Sequence, residues 1–287
     1  MTATDAAAFE RHRRRLFALA YRMLGEVGAA EDAVQDTYLR WHKSDRTQLR
    51  SEEAWLVTAC TRICIDRLRQ AQAERKAYIG QWLPEPLVVA PTPEEPLAES
   101  LSTAFLLLLE RLSPPERAAY LLHEVFDYDY GDVAGVLERG EPACRQLVSR
   151  ARRHLKDTRP RFSADADVAR VLAARFAEAS RRGDPAAFAD ILARDVRFWS
   201  DGGGKAAAAL NIIEGRDKCV RFILGIARKQ PPGLAGDFAW INGQPGLILR
   251  HASGAVYATV CFDIADGVIR AIYAMRNPDK LARVAVG

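Results

Sequence analysis

The residues best equipped for chemistry stand between Glu141 and Lys156, in the run EPACRQLVSRARRHLK. Wound as an α-helix, this run puts Cys144, Leu147, Val148, Ala151 and Leu155 on one face, the i, i+3, i+4, i+7 spacing of a buried stripe. The other face carries Arg145, Gln146, Ser149, Arg150, Arg152, Arg153 and Lys156, with no acid among them. Guanidinium forks and a side-chain amide suit phosphate contacts and bidentate reading of base edges in a major groove. An ordinary surface helix with a solvated basic face would look the same, so the preceding segment decides. Residues 129–137 read as a short helix, and Glu138, Arg139 and Gly140 as a tight connection, with Gly140 at the N-cap and Pro142 in the first turn. Two short helices joined by a tight turn, the second basic, form a helix-turn-helix and point to DNA.

A chain of 287 residues is long for one domain, and with 49% hydrophobic residues it can build real cores. The formal charge is only +4, an average that hides the basic cluster from Arg145 to Arg161. No apolar run has the length of a membrane span, and the charged N-terminal stretch lacks the apolar core of a signal peptide, so a cytoplasmic protein without membrane contact is expected. Cys60, Cys64, Cys144, Cys219 and Cys261 are scattered with no histidine placed to complete a zinc site; they read as buried thiols, and no metal or cofactor is expected. The chain contains no GxGxxG, P-loop or HExxH, and nothing in it calls for an enzyme.

The elements that must position the basic helix follow in order. A helix over residues 9–24 carries a stripe of Phe9, Leu16, Leu19, Ala20, Met23 and Leu24 and is closed by Gly25. A second, over residues 29–42, turns Ala33, Val34, Thr37, Tyr38 and Trp41 inward and leaves Glu31, Asp32, Gln35, Asp36 and Arg40 outside. The longest, residues 52–78, has Leu56, Ala59, Cys60, Ile63 and Cys64 inside, with Thr58, Thr61, Arg62, Ile65 and Arg69 expected on the opposite side. A face of hydroxyls and arginines can hold a nucleic-acid backbone. Residues 114–126 form another helix, with Ser113 and Glu116 as a capping box and Pro114 at its first position.

These pieces resemble an extracytoplasmic-function sigma factor. AEDAVQDTYLRWH and EEAWLVTACTRICIDRLR look like its region 2; LSPPERAAYLLHEVFDYDYGDVAGVL followed by CRQLVSRARRHL looks like its region 4. The resemblance implies binding to bacterial core RNA polymerase and promoter DNA. It assigns Asp32, Gln35 and Asp36 to the clamp helices of the largest polymerase subunit. It places Thr58, Arg62 and Arg69 against the melted minus-ten element, and Arg145, Gln146, Ser149, Arg150 and Arg153 against the minus-thirty-five duplex. Two positions depart from the family: Glu138 stands where the turn glycine is usual, and Gly140 where a serine cap is common.

Residues 81–100, QWLPEPLVVAPTPEEPLAES, are too rich in proline for helix or sheet and read as an extended linker. Trp82, Leu83, Pro84, Glu85 and Pro86 make a rigid apolar peptide suited to docking in a groove. After Arg161 the pattern changes. Helices over residues 167–180, 186–192 and 216–229 are joined by strands over 196–200, 238–241, 247–251, 256–263 and 268–275, with hairpin signals at Asn242-Gly243 and Asp266-Gly267. This α+β cone resembles the SnoaL-like branch of the nuclear-transport-factor-two (NTF2) fold. Sigma factors with such a tail form a group, number forty-one, marked by the peptides WLPEP, DGGGK and NPDKL. All are present, as Trp82–Pro86, as Asp201, Gly202, Gly203, Gly204 and Lys205, and as Asn277, Pro278, Asp279, Lys280 and Leu281. The resemblance implies that the tail regulates the sigma factor in cis, in place of a separate anti-sigma protein. Lys205 is expected to meet Glu85, and Asn277 with Pro278 to cap a last short helix.

The expected organisation is therefore multidomain. Two all-α modules, region 2 over residues 1–80 and a region 4 helix-turn-helix over 99–160, are separated by a linker over 81–98 and followed by an α+β SnoaL-like regulatory domain over 161–287. The competing reading is a helix-turn-helix protein whose tail senses a ligand or retains isomerase- or cyclase-type catalysis. A catalytic pocket would need groups such as Asp201, Arg197, His251, Tyr257, Asp263 or Tyr273 to converge, and an unidentified small ligand of this domain is the one further partner.

Overall fold

The structure is a computed structural model and describes residues 3–44, 49, 51–88, 101–155 and 166–284. The linker after Val88 and the basic run from Lys156 to Arg161 lie outside the described residues. The chain forms two compact units, one of Met1–Lys76 with Leu106–Arg159 and one of Ala77–Phe105 with Pro160–Gly287.

In the first unit, α1 (Ala3–Leu24), α2 (Val27–Lys43) and α3 (Glu52–Lys76) pack on one another. Their apolar stripes supply Leu16, Leu19, Met23, Val34, Trp41, Leu56, Cys60 and Cys64, all buried. Gly25 ends α1 at φ 73°, its N–H donating to the Tyr21 carbonyl in the left-handed conformation that glycine adopts without steric cost. The helical module that follows consists of α4 (Thr103–Leu109), α5 (Pro114–Tyr120) with a π-helical continuation over Leu121–Val125, α6 (Tyr130–Leu137) and α7 (Glu141–Leu155). Glu116 closes the expected capping box, accepting from the Ser113 N–H at 3.1 Å and its hydroxyl at 2.7 Å. Asp129 caps α6 by accepting from the Asp132 N–H at 2.8 Å, and the Gly140 carbonyl receives the first amides of α7.

One expectation about α3 fails. Thr61 and Ile65 are buried rather than outward with Thr58, Arg62 and Arg69. The helix is covered on two sides, by α1 and α2 on one and by α5 and α6 on the other, so only part of its second face remains open.

The second unit is an α+β domain. Its sheet runs in the order β2-β1-β6-β5-β4-β3, with β1 (Leu192–Asp201), β2 (Ile213–Glu214), β3 (Ala235–Ile241), β4 (Gln244–Arg250), β5 (Val256–Ala265) and β6 (Val268–Met275). Only β1 and β6 pair in parallel. The helices α8 (Ala166–Arg182) and α9 (Arg216–Ala227) close a core of Phe176, Phe188, Val196, Ile223, Phe262 and Ile272. Both hairpin turns take the expected form, with Asn242-Gly243 at φ 53° and 68° and Asp266-Gly267 at 53° and 72°. The helix expected over residues 186–192 is a 3-10 turn, Ala186–Phe188, because Ile191 and Leu192 enter the core and β1 starts there. A four-residue helix α10 (Pro278–Leu281) ends the described chain, capped by the Asn277 side chain, which accepts from the Asp279 N–H at 3.1 Å.

Candidate nucleic-acid interface and linker contact

Helix α7 separates its residues as the spacing requires. Cys144, Leu147, Val148, Ala151 and Leu155 are buried, and Arg145, Gln146, Ser149, Arg150, Arg152 and Arg153 are exposed. Two of the exposed guanidinium groups are already oriented. Arg145 stacks 4.2 Å over the Tyr130 ring and pairs with Glu141 at 3.3 Å, while Arg150 Nε sits 3.0 Å from Glu116. Burial would raise the Glu116 carboxyl, but the hydrogen bonds from Ser113 and the charges of Arg150 and His154 outweigh it and hold the group below its ordinary value. The capping residue of α5 is thereby an ionised support for an arginine of α7.

On α3, Arg69 is exposed and pairs with Asp66 at 3.0 Å, and the Thr58 hydroxyl donates back to the Ala54 carbonyl at 2.7 Å. Arg62 points to the end of α6. Its Nε donates to the Val136 carbonyl at 3.1 Å, and a terminal nitrogen lies 3.4 Å from the Gly135 carbonyl and 3.0 Å from the Glu138 carboxylate. Thr58, Arg62 and Arg69 thus share one side of α3, where Arg62 caps the end of α6 and the other two take no part in that contact.

Asp32 and Gln35 are exposed and Asp36 half-buried along α2. Arg67, a residue the sequence reading passed over, organises this face. It donates to Asp36 at 2.7 Å and to the Ala29 carbonyl at 3.1 Å, and lies 3.7 Å from Asp32. Its signal was present, since an arginine among the acid-facing turns of a buried helix has to find partners on the neighbouring helix.

In the second unit the marked peptides meet at Asp201, which is fully buried. One carboxylate oxygen accepts from the Tyr78 hydroxyl at 2.6 Å and the Gly203 N–H at 2.9 Å; the other accepts from the Leu83 N–H at 2.9 Å and Lys280 Nζ at 2.8 Å. Lys280 also donates to the Leu83 carbonyl at 2.6 Å and lies 4.4 Å from the Trp82 ring centre. Leu83 is therefore held by both its backbone groups and buried to 2% exposure. The glycines are forced by close approach. A Cβ on Gly203, at φ 58°, would stand 2.3 Å from the Asn277 amide, and one on Gly204, at φ 70°, would stand 2.9 Å from Ile79.

The expected meeting of Lys205 with Glu85 does not occur. Lys205 pairs with Asp279 of α10, and Glu85 is buried with Arg283 Nε 4.0 Å from its carboxylate. The short reach between DGGGK and the start of α10 uses the lysine locally, and the linker peptide is received by Lys280 instead. Tyr78, Asn242 and Gln244 were missed. Asn242 accepts from the Leu87 N–H at 2.7 Å and donates its own N–H to the Leu87 carbonyl at 2.8 Å, while Gln244 accepts from the Thr103 N–H at 2.8 Å. A hairpin asparagine is read as a turn former, which hides its second use as a receptor for an extended chain.

Of the residues weighed for a catalytic pocket, His251 and Tyr257 line one cavity of about 360 Å³ with Arg276, whereas Asp201 is committed to the linker. Asp263 and Tyr273 lie on adjacent strands, and burial pushes Asp263 up to about 6 and Tyr273 well above its ordinary value. No helix among the described residues is long and apolar enough to cross a membrane, and all five cysteines are buried and free.

Two family models match the chain, Sigma-70 region 2 over residues 8–74 and Sigma-70, region 4 over residues 102–155. Among known proteins it is similar to the ECF RNA polymerase sigma factor SigJ of Mycobacterium tuberculosis (strain ATCC 25618 / H37Rv), at 37% identity over 290 residues, spanning 96% of this chain and 93% of the relative. It is also similar to the probable ECF RNA polymerase sigma factor SigI of Mycobacterium tuberculosis (strain CDC 1551 / Oshkosh), at 30% identity over 281 residues, spanning 96% and 94%. The crystal structure of Mycobacterium tuberculosis SigJ matches with a TM-score of 0.78 at 35% identity, covering 96% of this chain and 98% of that one.

Proposed function

The chain belongs to the extracytoplasmic-function RNA polymerase sigma factors, and we propose how its residues divide that work. Its relatives initiate transcription and are not enzymes. As a member of the family it binds core RNA polymerase and promoter DNA, which places its work in the cytoplasm. The acidic face of α2, Asp32, Gln35 and Asp36, meets the polymerase clamp helices. Thr58, Arg62 and Arg69 hold the melted minus-ten strand, where unstacked bases can be read singly. Arg145, Gln146, Ser149, Arg150 and Arg153 read the minus-thirty-five duplex, a role supported by the clean division of α7 into buried and exposed faces.

The tail controls this activity in cis, and the chain divides functionally into region 2 over residues 1–80, the linker over 81–98, region 4 over 99–160 and the regulatory domain beyond. The observation that carries this reading is the clasp of Asp201 and Lys280 on Leu83. An equilibrium shifts only through contacts that differ between its states, and a linker peptide held by both backbone groups is such a contact. Any small ligand of the tail would act by changing that grip.

Run-off transcription with bacterial core polymerase tests the assignment, with the region upstream of the gene as template. Chain-dependent initiation at one start site is expected, and Trp82→Ala and Lys280→Met should change output at matched protein levels. Output identical to the parent in both variants would sink regulation through the linker. Failure of every form to bind core polymerase would sink the residue assignments on α2.

A further inference from the structure

Glu138 combines two features that fit poorly unless its side chain has a task. It closes α6 in the left-handed conformation, at φ 52° and ψ 47°, where a side chain is sterically disfavoured and glycine is the usual choice. Its carboxylate is 74% exposed, so burial does not explain the residue either. What the carboxylate touches is Arg62 of α3, at 3.0 Å.

Arg62 is held by more than this pair. The Gly135 and Val136 carbonyls it approaches belong to the last turn of α6, the negative end of the helix dipole. The guanidinium thus completes the C-terminus of α6 and meets a carboxylate in the same place. A carboxylate and a phosphate each offer a guanidinium two anionic acceptor oxygens. Glu138 accordingly occupies Arg62 as a nucleic-acid phosphate would.

We propose that Glu138 is an intramolecular latch, a positioning residue that keeps the turn of the helix-turn-helix on α3 by standing in for the DNA phosphate that Arg62 otherwise binds. The proposal rests on the assignment of Arg62 to the minus-ten strand. Other contacts join the same two modules: Arg15 lies 3.2 Å from Glu53, which accepts from the Tyr128 hydroxyl at 3.0 Å, and Arg15 donates to the Phe126 carbonyl at 3.2 Å. Arg117 of α5 donates to the Met23 carbonyl of α1 at 2.6 Å. Glu138 is distinguished from these because its partner is a residue assigned to DNA. Single-stranded promoter DNA and the latch therefore compete for one guanidinium, and each weakens the other by the same factor.

The test uses the full chain. All five native cysteines are buried, so dyes can be directed to cysteines introduced at the exposed positions Glu10 on α1 and His154 on α7. Energy transfer then reports the separation of the two modules. Glu138→Gln removes the charge, and Glu138→Gly removes the charge and relieves the backbone. Loss of one exposed ion pair should raise the ratio of separated to docked molecules about two- to five-fold in each variant. Raising the salt concentration should separate the parent by a larger factor than the Gln variant, which keeps the Arg75–Glu110 pair between the modules. Affinity for single-stranded oligonucleotides tiling the upstream region should rise in both variants. Energy transfer equal to the parent's in both variants at low salt would overturn the latch. If the modules separate as expected while Arg62→Ala binds the oligonucleotides as tightly as the parent, the assignment of Arg62 to DNA fails instead, and competition with it.

Discussion

Lys280 Nζ lies 2.8 Å from a carboxylate oxygen of Asp201, and neither group reaches solvent to any extent, the side chains being 10% and 0% exposed. Taking one partner away leaves the other buried without its counter-charge, which costs about 3–5 kcal/mol. Lys280→Met should lower the stability of the full chain by that order in a denaturant titration. Adding Asp201→Asn should recover part of the loss, because the neutral amide no longer needs a cation. Additive losses in the double variant would show that the two groups are not coupled.

Leu83 offers a more local readout. Its side chain is buried, and its N–H is satisfied by a carboxylate that is itself inaccessible. Leu83→Ala should weaken the docked peptide by about 2–5 kcal/mol. Amide exchange over residues 81–88 should then accelerate by about thirty-fold or more, while exchange in β5 and β6 stays near the parent's. Unchanged protection over those residues would mean that the leucine does not hold the peptide.

Arg150 should discriminate among duplexes. If it reads a guanine, Arg150→Ala weakens binding to the minus-thirty-five sequence by about 1–3 kcal/mol and relaxes preference at one base pair. A uniform loss on every duplex would reduce it to a phosphate contact. Glu116→Gln removes the carboxylate now paired with Arg150 and should increase non-specific duplex binding modestly.

Gln35 is exposed and carries little of the fold, so Gln35→Ala should leave the melting temperature within about a degree while lowering affinity for core polymerase. Parent-like affinity in a pull-down against core polymerase would remove this face of α2 from the interface.

Asp263 sets a pH dependence of definite sign. Burial raises its carboxyl to about 6 in the folded chain, above the ordinary value of 3.8. Between those values the folded form binds more proton than the unfolded one, so stability falls as pH rises from about 4 to about 6. Asp263→Asn should flatten the melting temperature across that window and exceed the parent near neutrality. A parent profile that rises through the window, with no change in the variant, would contradict the burial of this carboxyl.

Periodicity made α7 legible down to which residues face outward, because an amphipathic helix needs only one core to settle its rotation. It failed on α3, where Thr61 and Ile65 are buried, since a helix packed on two sides has no single polar face to read. The peptides WLPEP, DGGGK and NPDKL could be seen to matter, but not which atoms would meet. Lys205 and Lys280 carry the same charge, and their spacing in the sequence does not tell that one pairs with Asp279 and the other with Asp201. Strand β2 was invisible because two residues, Ile213 and Glu214, carry no period at all.

The docked peptide from Tyr78 to Val88 is joined through the chain to the surface that receives it. Its binding is consequently a unimolecular event, governed by an effective concentration that the connecting chain sets. A synthetic copy of the peptide added at micromolar concentration would seldom find the groove vacant. Release has to come from a change in the receiving surface, or from a competitor tied to the same assembly, and dilution of the protein leaves the docked fraction unaltered.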